Sequence, residues 1–508
     1  MPANNLFYKY EKSAKDPKIV NRSSAIFLVK YSKKEKIFTD IHFLNYWKLK
    51  NKVASINGKL TVRKLNGSIL ITKKINISKI KSYCIKLREL LAKKKIKEFT
   101  GAAEIELFSK NNLYYPYPAI FARYYGKDWH TGAHSTTRYL SKDSGDNINI
   151  INKEQLANES NITLFSEEGI KCYIILHGGL DSSQNMKVSL TITNRQCKKM
   201  VKKLKVFNMK KGETKILCID NYFDYKKFLN GGRGMLSVNY KCKGVFPRIL
   251  FYNEGSGGEI SVEHSNFGKS DTASKDTFNS KRDQKNLVYS MPILSKDYKT
   301  QIDIFPTYPK QRKPYTLIST KNNFKGKLLS TKKIKTREIN SFSQITEKGA
   351  DNTTFLEIDY SHEKKLPNRF HTSYYYSKNN SLPAILLDGP IPRHAKIWRT
   401  RWAPFFYEEN KLNTKIFLCG RYFEKNKKND KVNITISLYG TSEKELVVIK
   451  KTMKNNENLE LNIADIVKKK KWKNNYGWFY IKFEEGSFCN VVFTSEYMNN
   501  SIIGNHAF

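Results

Sequence analysis

Three histidines stand at one fixed distance from a phenylalanine. His134 follows Phe121, His264 follows Phe251 and His506 follows Phe493, each by thirteen residues (134−121, 264−251, 506−493). Imidazole both donates and accepts hydrogen bonds and titrates near neutrality. A histidine recurring in this way can therefore line a binding site, or it can cap a strand end at a joint by bonding a backbone carbonyl. Retention of the spacing in three places favours the structural role over a single active centre. In a fourth copy of the pattern, aligning Asn368-Arg369-Phe370-His371-Thr372-Ser373 with Asn490-Val491-Val492-Phe493-Thr494-Ser495 puts Ala384 where the histidine would stand.

The richest local chemistry runs into the first of these histidines: Arg123-Tyr124-Tyr125-Gly126-Lys127-Asp128-Trp129-His130. Aromatic, cationic and imidazole groups alternate there on what reads as an exposed loop. Arg123, Tyr125, Trp129, His130 and His134 are thus candidate ligand contacts, able to stack on sugar rings or on bases. His130 and His134 have the i,i+4 spacing of a helical metal pair, but Gly132 between them argues against the helix, so neither a metal nor another cofactor is expected. A second cluster, Arg393, His394, Trp398, Arg399, Arg401 and Trp402, follows the prolines Pro390 and Pro392. It could grip an anionic group or form a joint with packed tryptophans and solvated arginines.

Other motifs carry little chemistry. Gly231-Gly232-Arg233-Gly234 and Gly255-Ser256-Gly257-Gly258 lead into strands, so no helix start is available to hold a phosphate. His177-Gly178-Gly179 has no Gly-x-Ser-x-Gly partner anywhere in the chain. No catalytic constellation is assigned. The seven cysteines include no Cys-x-x-Cys pair, so neither a zinc knuckle nor a disulfide framework is indicated. The amino terminus lacks a secretory apolar run, and nothing downstream approaches the ~18 apolar residues of a membrane span. The expectation is a soluble, cytoplasmic protein, with association to a surface or particle left open.

A net charge of +45 suggests a polyanionic partner. Lysine is nevertheless spread along the whole chain among asparagine and isoleucine, which is also what a compositional bias produces. Runs such as Lys93-Lys94-Lys95 and Lys468-Lys469-Lys470-Lys471 read as solvated edges or loops, where lysine discourages strand-to-strand association.

The elements that must position these residues are short strands. Ala103–Leu107, Leu236–Tyr240, Phe355–Tyr360 and Phe479–Phe483 alternate apolar and polar residues with the period of a half-buried strand. About twenty residues before each lies another conserved spacing, at Ile85, Ile219, Ile339 and Ile463. The spacings define four units, near 20–135, 155–268, 288–388 and 400–508, the third with a degenerate end. Each carries six to eight strands, with one or two helical turns at Ile85–Leu91 and Ile463–Val467. The predicted fold is all-β: four tandem antiparallel β-sandwiches of jelly-roll or immunoglobulin-like type. Tandem sandwiches with aromatic and cationic clusters and no catalytic set predict a non-enzymatic binding protein for an extended anionic ligand, such as a polysaccharide or surface glycan. Nucleic-acid binding, an enzyme acting on a glycan or its precursor, and an assembly scaffold are the alternatives.

Overall fold

The structure, a computed structural model, describes residues 19–508 apart from short stretches, the longest being 268–276, 280–287, 309–315, 336–342, 393–399 and 422–430. It is built almost wholly of antiparallel strands. The first eight are β1 (Arg22–Ser32), β2 (Phe38–Leu44), β3 (Asn57–Lys64), β4 (Ile69–Asn76), β5 (Ser82–Lys86), β6 (Glu98–Phe108), β7 (Ile120–Tyr125) and β8 (His130–His134). They form two four-stranded sheets, ordered β1-β6-β3-β4 and β5-β2-β7-β8. Phe27, Val29, Leu60, Val62, Ile105, Ile41 and Phe43 are fully buried in the core that this pair shares.

The same order returns three more times. The second pair joins Glu159–Phe165, Arg233–Asn239, Val188–Thr193 and Lys199–Leu204 in one sheet, and Thr214–Cys218, Lys171–His177, Leu250–Glu254 and Ile260–His264 in the other. The third places Val288–Ser290, Thr354–Asp359, Thr316–Asn323 and Leu328–Lys335 opposite Ser343–Glu347, Lys299–Tyr308, Arg369–Ser377 and Ala384–Asp388. The fourth has Thr400–Phe406, Tyr476–Phe483, Lys431–Tyr439 and Leu446–Lys454, with Asn458–Asn462, Leu412–Arg421, Phe488–Tyr497 and Ile502–His506. Helices are short. Leu87–Lys93 and Ile463–Lys469 each follow the fifth strand of their pair, and Asn462 caps the latter by accepting from the Ala464 N–H at 3.0 Å. Among the described residues no helix is long and apolar enough to cross a membrane.

One corner fixes the register of each pair. In the second strand an isoleucine, Ile41, Ile174, Ile302 or Ile416, pairs with the fifth strand at Ile85, Leu217, Ile345 or Leu461. Two residues earlier stands Thr39, Cys172, Thr300 or Thr414, which ties the second strand to the end of the first. Thr414 Oγ1 donates to the Phe406 carbonyl at 2.9 Å and accepts from the Phe406 N–H at 2.9 Å; Thr39 does the same to Lys30, and Thr300 donates to the Ile293 carbonyl. These buried threonines supply the turn with the hydrogen bonds that neither sheet gives it.

The pairs close on one another. Between the third and fourth strands of a pair lies a turn, and its carbonyl accepts the N–H that opens the fifth strand of the next pair: Thr214 N to Leu65 O, and Asn458 N to Phe324 O, both 2.8 Å. The fourth pair does the same to the first, Ser82 N to Gly440 O, again at 2.8 Å. Apolar cores run across the joints. Ile26 and Ala102 of the first pair pack with the second, Tyr375 of the third also packs with the second, Phe417 and Val492 of the fourth with the third, and the first and fourth cores are continuous. Between the second and third pairs Arg233 Nε donates to Asp303 Oδ2 at 2.6 Å, with both side chains buried, and Thr163 hydrogen-bonds Tyr375. The chain thus makes a closed ring of four sheet pairs.

Two stability consequences follow from the corner and the joint. Thr414→Val keeps the volume but strands two buried backbone groups, so it should lower stability by about 1–3 kcal/mol, read as a lower urea midpoint at unchanged slope. Asp303→Ala leaves the buried Arg233 charge uncompensated and should lower stability by about 3–5 kcal/mol in the same assay.

Candidate functional site

The common register shows that His134, His264 and His506 are equivalent. The isoleucines Ile41, Ile174 and Ile416 pair in the seventh strand with Ala122, Phe251 and Phe493, and the residues just before those, Phe121, Leu250 and Val492, lie opposite the three histidines. Counting thirteen from a phenylalanine conceals a one-residue difference, because Phe121 corresponds to Leu250 rather than Phe251. In the third pair Ile302 faces Tyr374, and the preceding Ser373 faces Leu387. The residue standing in place of histidine is therefore Leu387, not Ala384 as alignment on Phe493 suggests; strand pairing fixes the position where loop length cannot.

The eighth strand is an edge strand in every pair, and the four edges meet at the centre of the ring. The strand β8 lies against Ile260–His264, and Ala384–Asp388 lies against Ile502–His506. Thr131 of β8 satisfies its neighbour's open edge: its Oγ1 accepts from the Val262 N–H at 2.9 Å. Three imidazoles from three pairs then come together. The ring of His134 stands edge-on to those of His264 and His506, with centroids 4.4 and 4.7 Å away, and the other two rings are 6.2 Å apart. Their ligand-type nitrogens all lie within 4.8 Å of one another.

The surroundings hold these rings in place. His264 Nδ1 bonds the Ser265 carbonyl at 2.8 Å and His506 Nδ1 the Ala507 carbonyl at 3.3 Å. Because a carbonyl only accepts, both rings carry their proton on Nδ1, leaving each Nε2 as an acceptor lone pair. His264 Nε2 is buried without a hydrogen-bond partner and lies 3.5 Å from Glu263 Oε1. That carboxyl oxygen accepts the His264 backbone N–H at 2.8 Å. Asn505 is its equivalent in the fourth pair: it accepts the His506 N–H at 2.8 Å, and its side chain also bonds His134. Burial, helped by the nearby Arg248 cation, holds the pKa of His264 well below the ordinary value; burial with its two imidazole neighbours does the same for His134. His506 is held down to about 4, mainly by burial, and burial pushes Glu263 well above the usual carboxyl range. The three imidazoles are thus held in their neutral form, with the Nε2 of His264 and His506 left as lone pairs.

The other cationic and aromatic residues singled out from sequence lie elsewhere. In the segment Arg123–His130 only the turn residues Lys127 and Asp128 are exposed as its composition suggests. Arg123 and His130 are buried in a β-hairpin against the fourth pair, because β7 and β8 need an apolar neighbour at the ring joint. The Arg123 guanidinium lies 4.5 Å from the Phe406 ring and 4.6 Å from the Tyr125 ring, Tyr125 donates to Asp40 at 3.0 Å, and Trp129 is half-buried. His130 Nε2 bonds the Ser495 carbonyl at 3.1 Å. Arg401 and Trp402 are also buried, and Trp402 packs 5.0 Å from Tyr46 of the first pair. Arg393, His394 and Trp398 lie outside the described residues. Asp40, His42 and Cys84 form a second group, in which burial, with Asp40 beside it, pushes the Cys84 thiol far up.

A surface feature escapes the sequence reading. The fourth strand of each pair is an outer edge, and each carries two adjacent exposed lysines: Lys73-Lys74, Lys202-Lys203, Lys332-Lys333 and Lys450-Lys451. Register makes Lys74, Lys203, Lys333 and Lys450 equivalent, since each faces the residue preceding Leu60, Leu190, Ser319 or Ile436, which in turn pair with Ile105, Val238, Ile358 and Ile481. Exposed aliphatics accompany them, including Ile69, Val201, Leu328 and Val448. The signal was present as Thr72-Lys73-Lys74-Ile75 and Thr331-Lys332-Lys333-Ile334, masked by lysine everywhere else.

No protein-family model matches the chain, and no curated protein matches it. Among solved structures, a calcium-binding mutant of Bacteroides uniformis β-glucuronidase 2 shares 9% identity, with a TM-score of 0.13, over 46% of this chain and 27% of that one. The chain therefore spans about a quarter of that protein's length. At that level the two chains need share neither fold nor chemistry.

Buried neutral imidazoles away from the ring centre make stability depend on acid. His177, bonded through Nδ1 to Thr214 Oγ1 at 2.9 Å, is held down to about 3 by burial. Below the unfolded value of about 6.5 the unfolded chain takes up a proton that the native chain refuses, so stability falls as pH drops from about 6.5 towards 3. The slope contributed is up to about 1.4 kcal/mol per pH unit. His177→Asn should flatten urea-midpoint against pH over that window relative to the parent protein.

Proposed function

We propose that the chain is a non-enzymatic binding scaffold: four β-sandwich units, near 20–135, 155–268, 288–388 and 400–508, that present equivalent basic edges to an extended acidic polysaccharide. The observation that carries this reading is an exposed lysine, Lys74, Lys203, Lys333 or Lys450, at one register on all four outer edge strands, each with an exposed lysine beside it. A compositional bias scatters lysine; it does not place lysines on one strand, at one position, four times over. Lysine on an edge also blocks strand addition, and that role is compatible with ligand contact because both need the ammonium groups in water.

The chemistry of the edges favours a saccharide over a nucleic acid. Ammonium groups meet carboxylates or sulfates as point charges, whereas recognition of bases draws on exposed aromatics and arginine. The edge strands pair their lysines with aliphatic side chains, and Arg123, Arg401 and Trp402 lie at the joints instead. In this reading Arg123, His130, Arg401 and Trp402 hold the ring together, and ligand contact belongs to the edges. Four weak sites on one rigid body reinforce one another when a single polymer spans them.

Retention on immobilised heparin and on polygalacturonate tests the proposal. The parent protein should be retained at low salt and released as salt rises. Replacing the lysine pairs by alanine one edge at a time should lower the releasing salt stepwise, with no change in melting temperature. Unchanged release after all eight substitutions would overturn the edge reading. Retention of a DNA duplex but of neither polysaccharide would favour the nucleic-acid alternative.

A further inference from the structure

We propose that His134, His264 and His506 form a binding site at the ring centre for one divalent transition-metal ion of the zinc class, ligated by three neutral imidazoles. The site is independent of the basic edges. Three observations carry it. The ligand-type nitrogens of the three rings already lie within 4.8 Å of one another, so small ring rotations bring them onto one ion. His264 Nε2 is a buried lone pair with no hydrogen-bond partner in a residue only 5% exposed. An unfilled acceptor of that kind is expensive to bury, and a cation satisfies it. Finally, the Nδ1–H groups of His264 and His506 are spent on the Ser265 and Ala507 carbonyls, the outer-sphere bond that orients a histidine ligand and fixes its tautomer.

The donor set selects the ion. Imidazole nitrogens suit zinc, copper, nickel and iron, while magnesium and calcium take shells of about six or more oxygens, which Glu263 and Asn505 do not fill. Three histidines leave one tetrahedral position, and the fourth register position of the ring, Leu387, offers no ligand atom. The remaining place falls to a water or a small anion. Glu263, with its oxygen 3.5 Å from His264 Nε2, is the carboxyl group placed beside the three imidazoles to offset a dication next to Arg248. It is a positioning and charge-balancing residue.

Equilibrium dialysis of the full chain, stripped with EDTA and then offered Zn²⁺ or Co²⁺, tests the site. One ion per chain is expected, with the strong visible absorption of four-coordinate Co²⁺ and a raised melting temperature. His264→Gln and His506→Gln should abolish stoichiometric uptake, and Glu263→Gln should weaken it roughly 10–100-fold. No uptake by the parent protein, or uptake unchanged in the folded histidine variants, would overturn the proposal. Should those variants fail to fold by circular dichroism, X-ray absorption of the zinc-loaded parent decides: three imidazole nitrogens at about 2.0–2.1 Å support the site, and an oxygen or thiolate shell overturns it.

Discussion

The closure of the ring is the constraint from which the rest of this structure follows. One backbone hydrogen bond, from the opening N–H of a fifth strand to the preceding pair's turn, occurs between the first and second pairs, the third and fourth, and the fourth and first. An interface repeated head to tail either closes or continues as a filament. Here it closes, because the fourth pair offers the first what the first offers the second. Every pair must then point the same edge inward. The eighth strands meet at the centre, where packing shields their open backbone groups, and the fourth strands face water, where lysine protects them.

Closure also decides which side chains can stand at the joints. A joint that buries the ends of two sandwiches buries backbone and side-chain polar groups together, and each needs a partner. Arg233 meets Asp303, His130 meets the Ser495 carbonyl, and Thr131 meets Val262. Such pairs add little net free energy compared with apolar contacts. Their effect is to penalise a joint that slips by a residue, since a slip separates the partners in low dielectric. The apolar cores shared across the joints supply the attraction, and these polar pairs select its register.

Much of the architecture was legible in the chain because period-two alternation and repeat spacing are local properties. The strands around Ile105, Val238, Ile358 and Ile481 stand where alternation puts them. The site was legible only in part. Spacing brought out His134, His264 and His506, yet it could not show that three pairs point them at one place, since convergence depends on ring closure and not on any single unit. Loop length misled the alignment of the third pair, because Leu387 is equivalent by hydrogen-bond pairing while Ala384 is so only by counting. The segment from Arg123 to His130 reads as a surface loop for a similar reason: cations and aromatics are as useful in a desolvated joint, where Arg123 lies over Phe406, as they are on a binding face.

The departure of the third pair from the histidine pattern has a physical sense once the centre is seen as shared. Each buried imidazole brings two nitrogens that need partners, and His264 already leaves one unfilled. A fourth imidazole would add two more demands to a space with few donors, whereas a leucine makes none. The residue before each central position alternates as well: Ala133 in the first pair, Glu263 in the second, Leu386 in the third and Asn505 in the fourth. Only the even pairs carry a polar side chain there, and both accept the N–H of their own histidine. Four units that agree in topology thus alternate in chemistry, giving the centre twofold rather than fourfold character. Leu387 breaks even that at the register position of the histidines, since leucine carries no atom that could bond an imidazole or a cation.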